Sequence, residues 1–346
     1  MKNTEKRIVV IRTSSMGDVA LTVPVIRAMR EQYPDTLITM VTRKTFIPFF
    51  SPLEGLILFE ADFSGNHRGI RGLFRMYREI KASGDIDCLI DLHDVARSRL
   101  LRFLFRLSGV PVSVIDKGRK AKRALVKGKT RSRLTHTVER YKEAFYNAGF
   151  TITLSPGPWI IPSAESMASV EKKAAITSGL NIGVAPFSKH ELKRWPEEYL
   201  IELAGMISER RPVTFWLFGG AEDSDKIAWF YEKVPGSKYL SGGLSLDEEL
   251  ALISRLDFMI SMDSANMHMA ALTGTRVISI WGATDPAAGF GAWMQPDEYS
   301  VSISSGLECR PCTVYGRGRC KRKDHACMKW LTPEMVYERI TDLKLL

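Results

Sequence analysis

The sequence has no apolar run long enough to cross a bilayer. A spanning helix needs about 20 consecutive apolar residues, and none of the 346 positions opens such a stretch. Its first eighteen residues, MKNTEKRIVVIRTSSMGD, contain an apolar run of only four, IVVI. A secretory h-region is longer, so the expectation is a cytoplasmic protein. Acid is short relative to base: 39 Asp and Glu against 49 Lys and Arg, a net charge of +10 with His neutral. That excess suits an anionic partner, whether nucleic acid, nucleotide or lipid surface. Two common phosphate fingerprints, G-x-G-x-x-G and G-x-x-x-x-G-K-[ST], are missing. So are helix-turn-helix, RNP and zinc-finger patterns with aromatics among the basic residues, which leaves a nucleic-acid binder as a remote alternative. There is no internal repeat and no low-complexity segment.

What is present is an alternation of apolar β-rich runs and helical patterns. Strands are predicted near 7–13, 36–42, 56–60, 86–92 and 111–115, and helices near 18–32, 68–82, 95–108 and 135–148. The Pro-rich stretch TLSPGPWIIPS (153–163) reads as a linker. Beyond it strands are predicted at 181–187, 212–219, 238–240, 258–262 and 276–281. Continuous apolar strands between helices imply parallel sheets buried on both faces. The chain therefore reads as two α/β halves with a cleft between them.

Ligands of open α/β sheets bind at the carboxyl ends of the strands. After IVVI the chain reads RTSSMGD, placing Asp18 at such an end and just inside a helix. A first-turn Asp also complements the helix dipole, and Ser14 and Ser15 are good caps, so position alone leaves both readings open. In FMISMDSANMHMAALTGTRVISIWGATDP (258–286), Asp263 ends a strand, Ser264, Ala265 and Asn266 open a helix, and His268 follows. Small residues at a helix start admit a phosphate. A plain cap explains the Asp and Ser but not the His at the same strand end. Two loose D-x-D triplets, DID (85–87) and DSD (223–225), fit a strand start and a helix start, so no catalytic metal is expected. Cys309, Cys312, Cys320 and Cys327 begin with a C-x₂-C pair that suits zinc, but the later spacings are less typical. Reduced thiols packing a loop are the favoured reading and a structural zinc the alternative. Cys88, on a strand, reads as core.

TSSMGDVALTVPVI, KRWPEEYL, FGGAED and DSANMHMAALTGTRVISIWGATDP occur in the order that characterises glycosyltransferase family 9, the ADP-heptose:lipopolysaccharide heptosyltransferases. The sequence resembles that family from residue 7 to about 340. The resemblance implies a GT-B fold: two Rossmann-like domains with parallel sheets facing across a cleft. Residues 1–160 would bind the acceptor and 161–330 the nucleotide-sugar, with a helix in 331–346 returning toward the first domain. By the same resemblance Asp18 is the general base, flanked by the loop residues Ser15, Met16 and Gly17. Lys193 neutralises donor phosphate. Ser188, Glu222, Asp263, Ser264, Ala265 and His268 complete the donor site. PFSKHE replaces the family's Thr-rich segment, and Ala265 stands where the family often has Gly.

The chemistry to expect is an inverting transfer. Asp18 removes a proton from the acceptor hydroxyl, which attacks the anomeric carbon opposite the leaving ADP. Lys193, His268 and backbone N–H groups meet the leaving charge, so neither metal nor cofactor is expected. The expected partners are an ADP-sugar, a lipopolysaccharide core or lipid A-linked acceptor, and the anionic inner face of the cytoplasmic membrane. The alternative is another GT-B transferase with a different nucleotide-sugar. The segment KGRKAKRALVKGKTRSR (117–133) carries nine Lys or Arg in seventeen residues and no acid. Arg119, Lys120, Lys122 and Arg123 are its candidates for steering the acceptor or holding the membrane.

Overall fold

Runs of β-branched and apolar residues form the strands at the centre of each sheet. The computed structural model describes residues 6–176, 178–220, 223–240, 243–303 and 306–346. Two units divide the chain: one holds the residues up to Lys117 together with Thr137–Ile160, the other Gly118–His136 and Ile161–Leu346.

The first unit has five parallel strands: β1 (Arg7–Ile11), β2 (Leu37–Thr42), β3 (Leu56–Glu60), β4 (Cys88–Asp91) and β5 (Val112–Val114). Their order is β3-β2-β1-β4-β5. The four apolar residues of β1 are buried, as a central parallel strand covered on both faces requires. Leu73, Met76 and Ile80 of the helix Gly69–Ala82 share one core with Leu101 and Phe105 of the helix Ala96–Leu107. Register sets Ile11 beside Asp91, so β1 and β4 end level.

The second unit has six parallel strands: β6 (Leu180–Ala185), β7 (Val213–Leu217), β8 (Ser237–Lys238), β9 (Phe258–Met262), β10 (Arg276–Ile280) and β11 (Ser300–Val301). Here the order is β11-β10-β9-β6-β7-β8. β11 has no counterpart in the sequence reading. Ala185 pairs with Ser261, which brings the segment after β6 alongside the end of β9.

Three expectations change. The helix predicted over 18–32 is two helices, Met16–Ala20 and Val23–Gln32, because Pro24 has no N–H to continue a helix and suits the start of one. Residues 118–136, expected in the first domain, belong to the second unit. Within them Arg119–Val126 is a helix, and Lys122 is 4% exposed with its ammonium 3.9 Å above the Phe290 ring. Thus Lys122 is a packed residue rather than a surface cation, while Arg119, Lys120 and Arg123 are exposed. The C-terminal helix, Pro333–Asp342, was expected to return toward the first domain. It packs on the helix Glu197–Arg210, and Val336, Ile340 and Leu345 enter the second unit's core. Among the described residues no helix is long and apolar enough to cross a membrane.

A cation over an aromatic face is worth about 0.5–2 kcal/mol, more when desolvated. Lys122→Ser should lower unfolding stability by about 1–2 kcal/mol. Lys120→Ser, on the exposed side, should stay within about 0.5 kcal/mol of the parent. Urea midpoints at constant slope measure both.

Candidate active site residues

In the first unit the chain leaves β1 through Arg12, a buried guanidinium. Its NH2 lies 2.7 Å from Asp18 Oδ2, and its NH1 donates to the Leu92 carbonyl at 2.7 Å. Burial opposes the charge on Arg12, but Asp18, Tyr141 and Asp91 together outweigh it, and its pKa is raised. Asp18 also accepts from the Ser15 hydroxyl at 2.7 Å and from the Ser15 amide at 3.4 Å. Its own carbonyl accepts from the Tyr141 hydroxyl at 3.0 Å. Three anchors therefore fix the carboxylate, whose side chain remains 26% exposed. Met16 is the first helical residue, and Gly17 is buried beneath it.

The polar loop is tied from β4 as well. His93 Nδ1 is 3.1 Å from Thr13 Oγ1, and its Nε2 is 3.1 Å from Ser14 Oγ. Burial, and then the charge of Arg12, pushes the His93 pKa down to about 3, so the imidazole is neutral. Asp91 accepts the amides of His93 and Asp94, each at 2.9 Å, and pairs with Arg102 at 3.1 Å. The sequence reading missed Arg12, His93 and Tyr141. Arg12 immediately precedes the TSSMGD motif, and His93 lies in DLHD at a strand end. Their meeting depends on β1 and β4 being neighbours, which no local pattern states.

In the second unit Lys193 Nζ lies 2.7 Å from Asp263 Oδ2, with both side chains largely buried. Lys193 ends the short 3₁₀ turn Glu191–Lys193 and Asp263 follows β9, so the β6–β9 register joins two motifs seventy residues apart. Trp195 is buried and its indole donates to the Leu331 carbonyl at 2.8 Å. Ser188 is buried, and its carbonyl accepts from Arg194 Nε at 2.8 Å. Ser264 is the N-cap residue of the helix Ala265–Thr273, but its hydroxyl is 3.0 Å from Ser261 Oγ and does not cap the helix amides. His268 is buried on the same helix. Burial, offset in part by the Gly291 carbonyl 3.0 Å away, holds His136 at a pKa of about 4, with His268 among the charges lowering it. Its ring lies 4.6 Å from that of Trp293. Glu222 lies outside the described residues.

Asp87 accepts the Arg7 amide at 2.7 Å, and Asp223 is the N-cap residue of the helix Ser224–Lys233 without a side-chain cap hydrogen bond. All five cysteines are free. Burial pushes the thiol of Cys327 up to about 11 and raises Cys312 and Cys88. Among the described residues no three His, Cys, Asp or Glu side chains are gathered as a metal site. A cavity of about 1000 Å³ in the second unit is lined by Arg131, Asp285, Arg310 and Arg322 among others, and by none of the donor candidates among the described residues.

The family profile described as glycosyltransferase family 9 (heptosyltransferase) matches residues 73–318. A lipopolysaccharide core heptosyltransferase of Haemophilus influenzae, OpsX, is 24% identical over 298 residues, 81% of this chain and 80% of its own length. Lipopolysaccharide heptosyltransferase 1 of Pseudomonas aeruginosa is 24% identical over 322 residues, 88% of this chain and 86% of its own. Among solved structures, a family 9 glycosyl transferase from Veillonella parvula superposes with a TM-score of 0.79 at 22% identity, covering 100% of this chain and 99% of that one. Escherichia coli heptosyltransferase WaaC, solved with ADP-2-deoxy-2-fluoro heptose, gives 0.63 at 19% identity over 97% and 99% of the two chains. These likenesses show the fold, which is GT-B with two Rossmann-like units.

His93 yields a pH prediction. Its native pKa, about 3, lies below the unfolded value of 6.5. The unfolded chain therefore takes up a proton that the native chain refuses as pH falls below 6.5, and stability drops toward pH 3. From pH 7 to pH 5 this one group should remove about 2 kcal/mol. Urea unfolding of wild type and His93→Gln at both pH values checks it. The variant should lose correspondingly less on acidification.

Proposed function

We infer the reaction from one premise: the chain belongs to glycosyltransferase family 9, the heptosyltransferases. We propose that it moves a heptose from ADP-heptose to a lipopolysaccharide core acceptor, inverting the anomeric centre. The donor and acceptor classes follow relatives that are described as lipopolysaccharide heptosyltransferases and a neighbour solved with an ADP-heptose analogue. The observation that carries the reading is the 2.7 Å Lys193–Asp263 pair at the end of β9, beside a helix start with no side-chain cap.

In this reading Asp18 is the general base. Arg12 pairs with the carboxylate, and Ser15 fixes its orientation. Asp18 takes the proton of the acceptor hydroxyl as that oxygen bonds to the anomeric carbon. The bond from that carbon to the diphosphate oxygen breaks, and ADP leaves with the electron pair. Lys193 and His268 meet the diphosphate, and Asp263 holds Lys193 extended until the donor arrives. Ser188, Ser264 and Ala265 line the donor's approach. The enzyme works beside an anionic membrane surface, which supplies the lipid acceptor.

Asp18→Asn should lower turnover at least about a hundredfold and leave ADP affinity unchanged, because the base acts on the acceptor. Steady-state kinetics with calorimetry checks it, and turnover within a few-fold of wild type would overturn the assignment. Lys193→Ala and His268→Ala should each weaken ADP binding by about tenfold or more, since each removes a hydrogen bond to the nucleotide. Wild-type affinity in both variants would misplace the donor. A cationic lysine at the leaving group can take the part of a divalent ion, so turnover should persist in excess EDTA. Loss of activity that magnesium or manganese restores would refute that.

A further inference from the structure

We propose that Gly316 is a positioning residue for Lys193, an inference that rests on the donor-site reading above. Gly316 has φ +76°, and a Cβ built on it would lie 2.7 Å from Cγ and Cε of Lys193 and 3.0 Å from Cδ. The backbone of the cysteine-bearing loop thus lies directly on the lysine stem. These atoms are three consecutive methylenes rather than a free tip, so Lys193 cannot yield without swinging its ammonium off Asp263. The loop is itself held in place. Cys312 N–H donates to the Ala283 carbonyl at 3.0 Å, and Ala283 N–H donates to the carbonyl of Leu192, next to Lys193, at 3.4 Å. Arg310 Nε donates to the Gly282 carbonyl at 2.6 Å. The next residue along, Arg317, acts with Lys193 and Lys189, after burial, to lower the pKa of His190, so the loop also brings positive charge to the same place. An otherwise flexible lysine is thereby pre-set for an anionic ligand.

Gly318 supplies the control. It has φ +106°, and among the described residues nothing lies within 4 Å of a Cβ built there. Both Gly316→Ala and Gly318→Ala force a positive φ on alanine, further from the left-handed region at Gly318, but only the first meets Lys193. In the full chain, calorimetry should show Gly316→Ala weakening ADP binding about tenfold and Gly318→Ala about twofold at most. In a Lys193→Ala background, Gly316→Ala should add nothing further. Equal losses from the two glycine variants, or an undiminished loss in the Lys193→Ala background, would overturn the proposal. If Lys193→Ala alone binds ADP as wild type does, the donor-site reading falls and this inference with it.

A different observation in the first unit assigns a docking surface for an anionic lipid leaflet and deepens the membrane part of the proposed function. The helices Gly69–Ala82 and Ala96–Leu107 pack side by side, with Tyr77 edge-on to Phe105 at 5.0 Å. Opposite their shared core, Ile70, Phe74, Phe103 and Leu107 are 46% to 70% exposed. Arg71, Arg78 and Arg106 are exposed on the same two helices, whose sole acid is Glu79. Guanidinium groups suit any phosphate and a ring can stack on a sugar, but the aliphatic side chains of Ile70 and Leu107, 67% and 70% exposed, match nothing on a sugar-phosphate chain. Both suit the boundary between headgroups and acyl chains.

Co-sedimentation with phosphatidylcholine vesicles, with and without phosphatidylglycerol, tests it. Wild type should bind the anionic vesicles, and more weakly as salt rises. Phe74→Ser/Phe103→Ser and Arg71→Ser/Arg78→Ser/Arg106→Ser should each weaken binding about tenfold or more. Arg119→Ser/Lys120→Ser/Arg123→Ser should change it about twofold at most. Wild-type binding by both of the first two variants would overturn this surface and leave the membrane reading standing. No binding by wild type would overturn both.

Discussion

A buried guanidinium must be neutralised, and the first unit is organised around meeting that demand at Arg12. Asp18 supplies the charge at 2.7 Å, the Leu92 carbonyl accepts a second N–H, and the Tyr141 ring lies beneath at 5.8 Å. Leaving a buried charge unpaired is strongly destabilising. The five-residue helix carrying Asp18 is therefore held by its side chain more than by its own length, since so short a helix has little stability of its own. Burial, joined by the same positive charge, keeps His93 neutral, and the neutral ring can then receive or donate bonds with Thr13 and Ser14. The position of the candidate base and the shape of its loop are consequences of one electrostatic constraint.

The second unit solves a related problem with the signs arranged differently. In the proposed reading its lysine is the ligand-facing charge, and Asp263, 2.7 Å away, is the counter-ion already in place. The Ser264 hydroxyl turns to Ser261, so the helix amides receive no side-chain cap.

Much of this was legible in sequence, and the exceptions have physical causes. The buried strands announced themselves because parallel strands covered on both faces need unbroken apolar runs, as IVVI and FMISM are. Asp18, Lys193, Asp263 and His268 stand inside motifs, so their neighbourhood could be read. The Leu92 carbonyl could not be assigned to Arg12 without knowing that β1 lies beside β4. Lys122 reads as solvent-facing in any count of charge, because only the fold sets Phe290 under its ammonium. The break before Pro24 was readable, since proline at the start of a helix is a known signal, but the apolar periodicity running through 18–32 hid it. The direction of the C-terminal helix depends on which core has room for Val336 and Ile340, a matter of volume that a sequence does not display.

That last helix carries a consequence for the order in which the protein can form on the ribosome. The first unit has all its residues once Ile160 has emerged, although the chain must set aside 118–136, which has nothing of its own unit to pack on yet. The second unit cannot complete its core until Ile340 and Leu345 arrive, because these side chains fill it and Trp195 takes its carbonyl partner from Leu331. Domains emerging from the amino end generally fold first. Here the unit with the candidate base can mature while Lys193 still lacks its final support, so the nascent chain completes its two units in sequence, the second only after Leu345 has emerged.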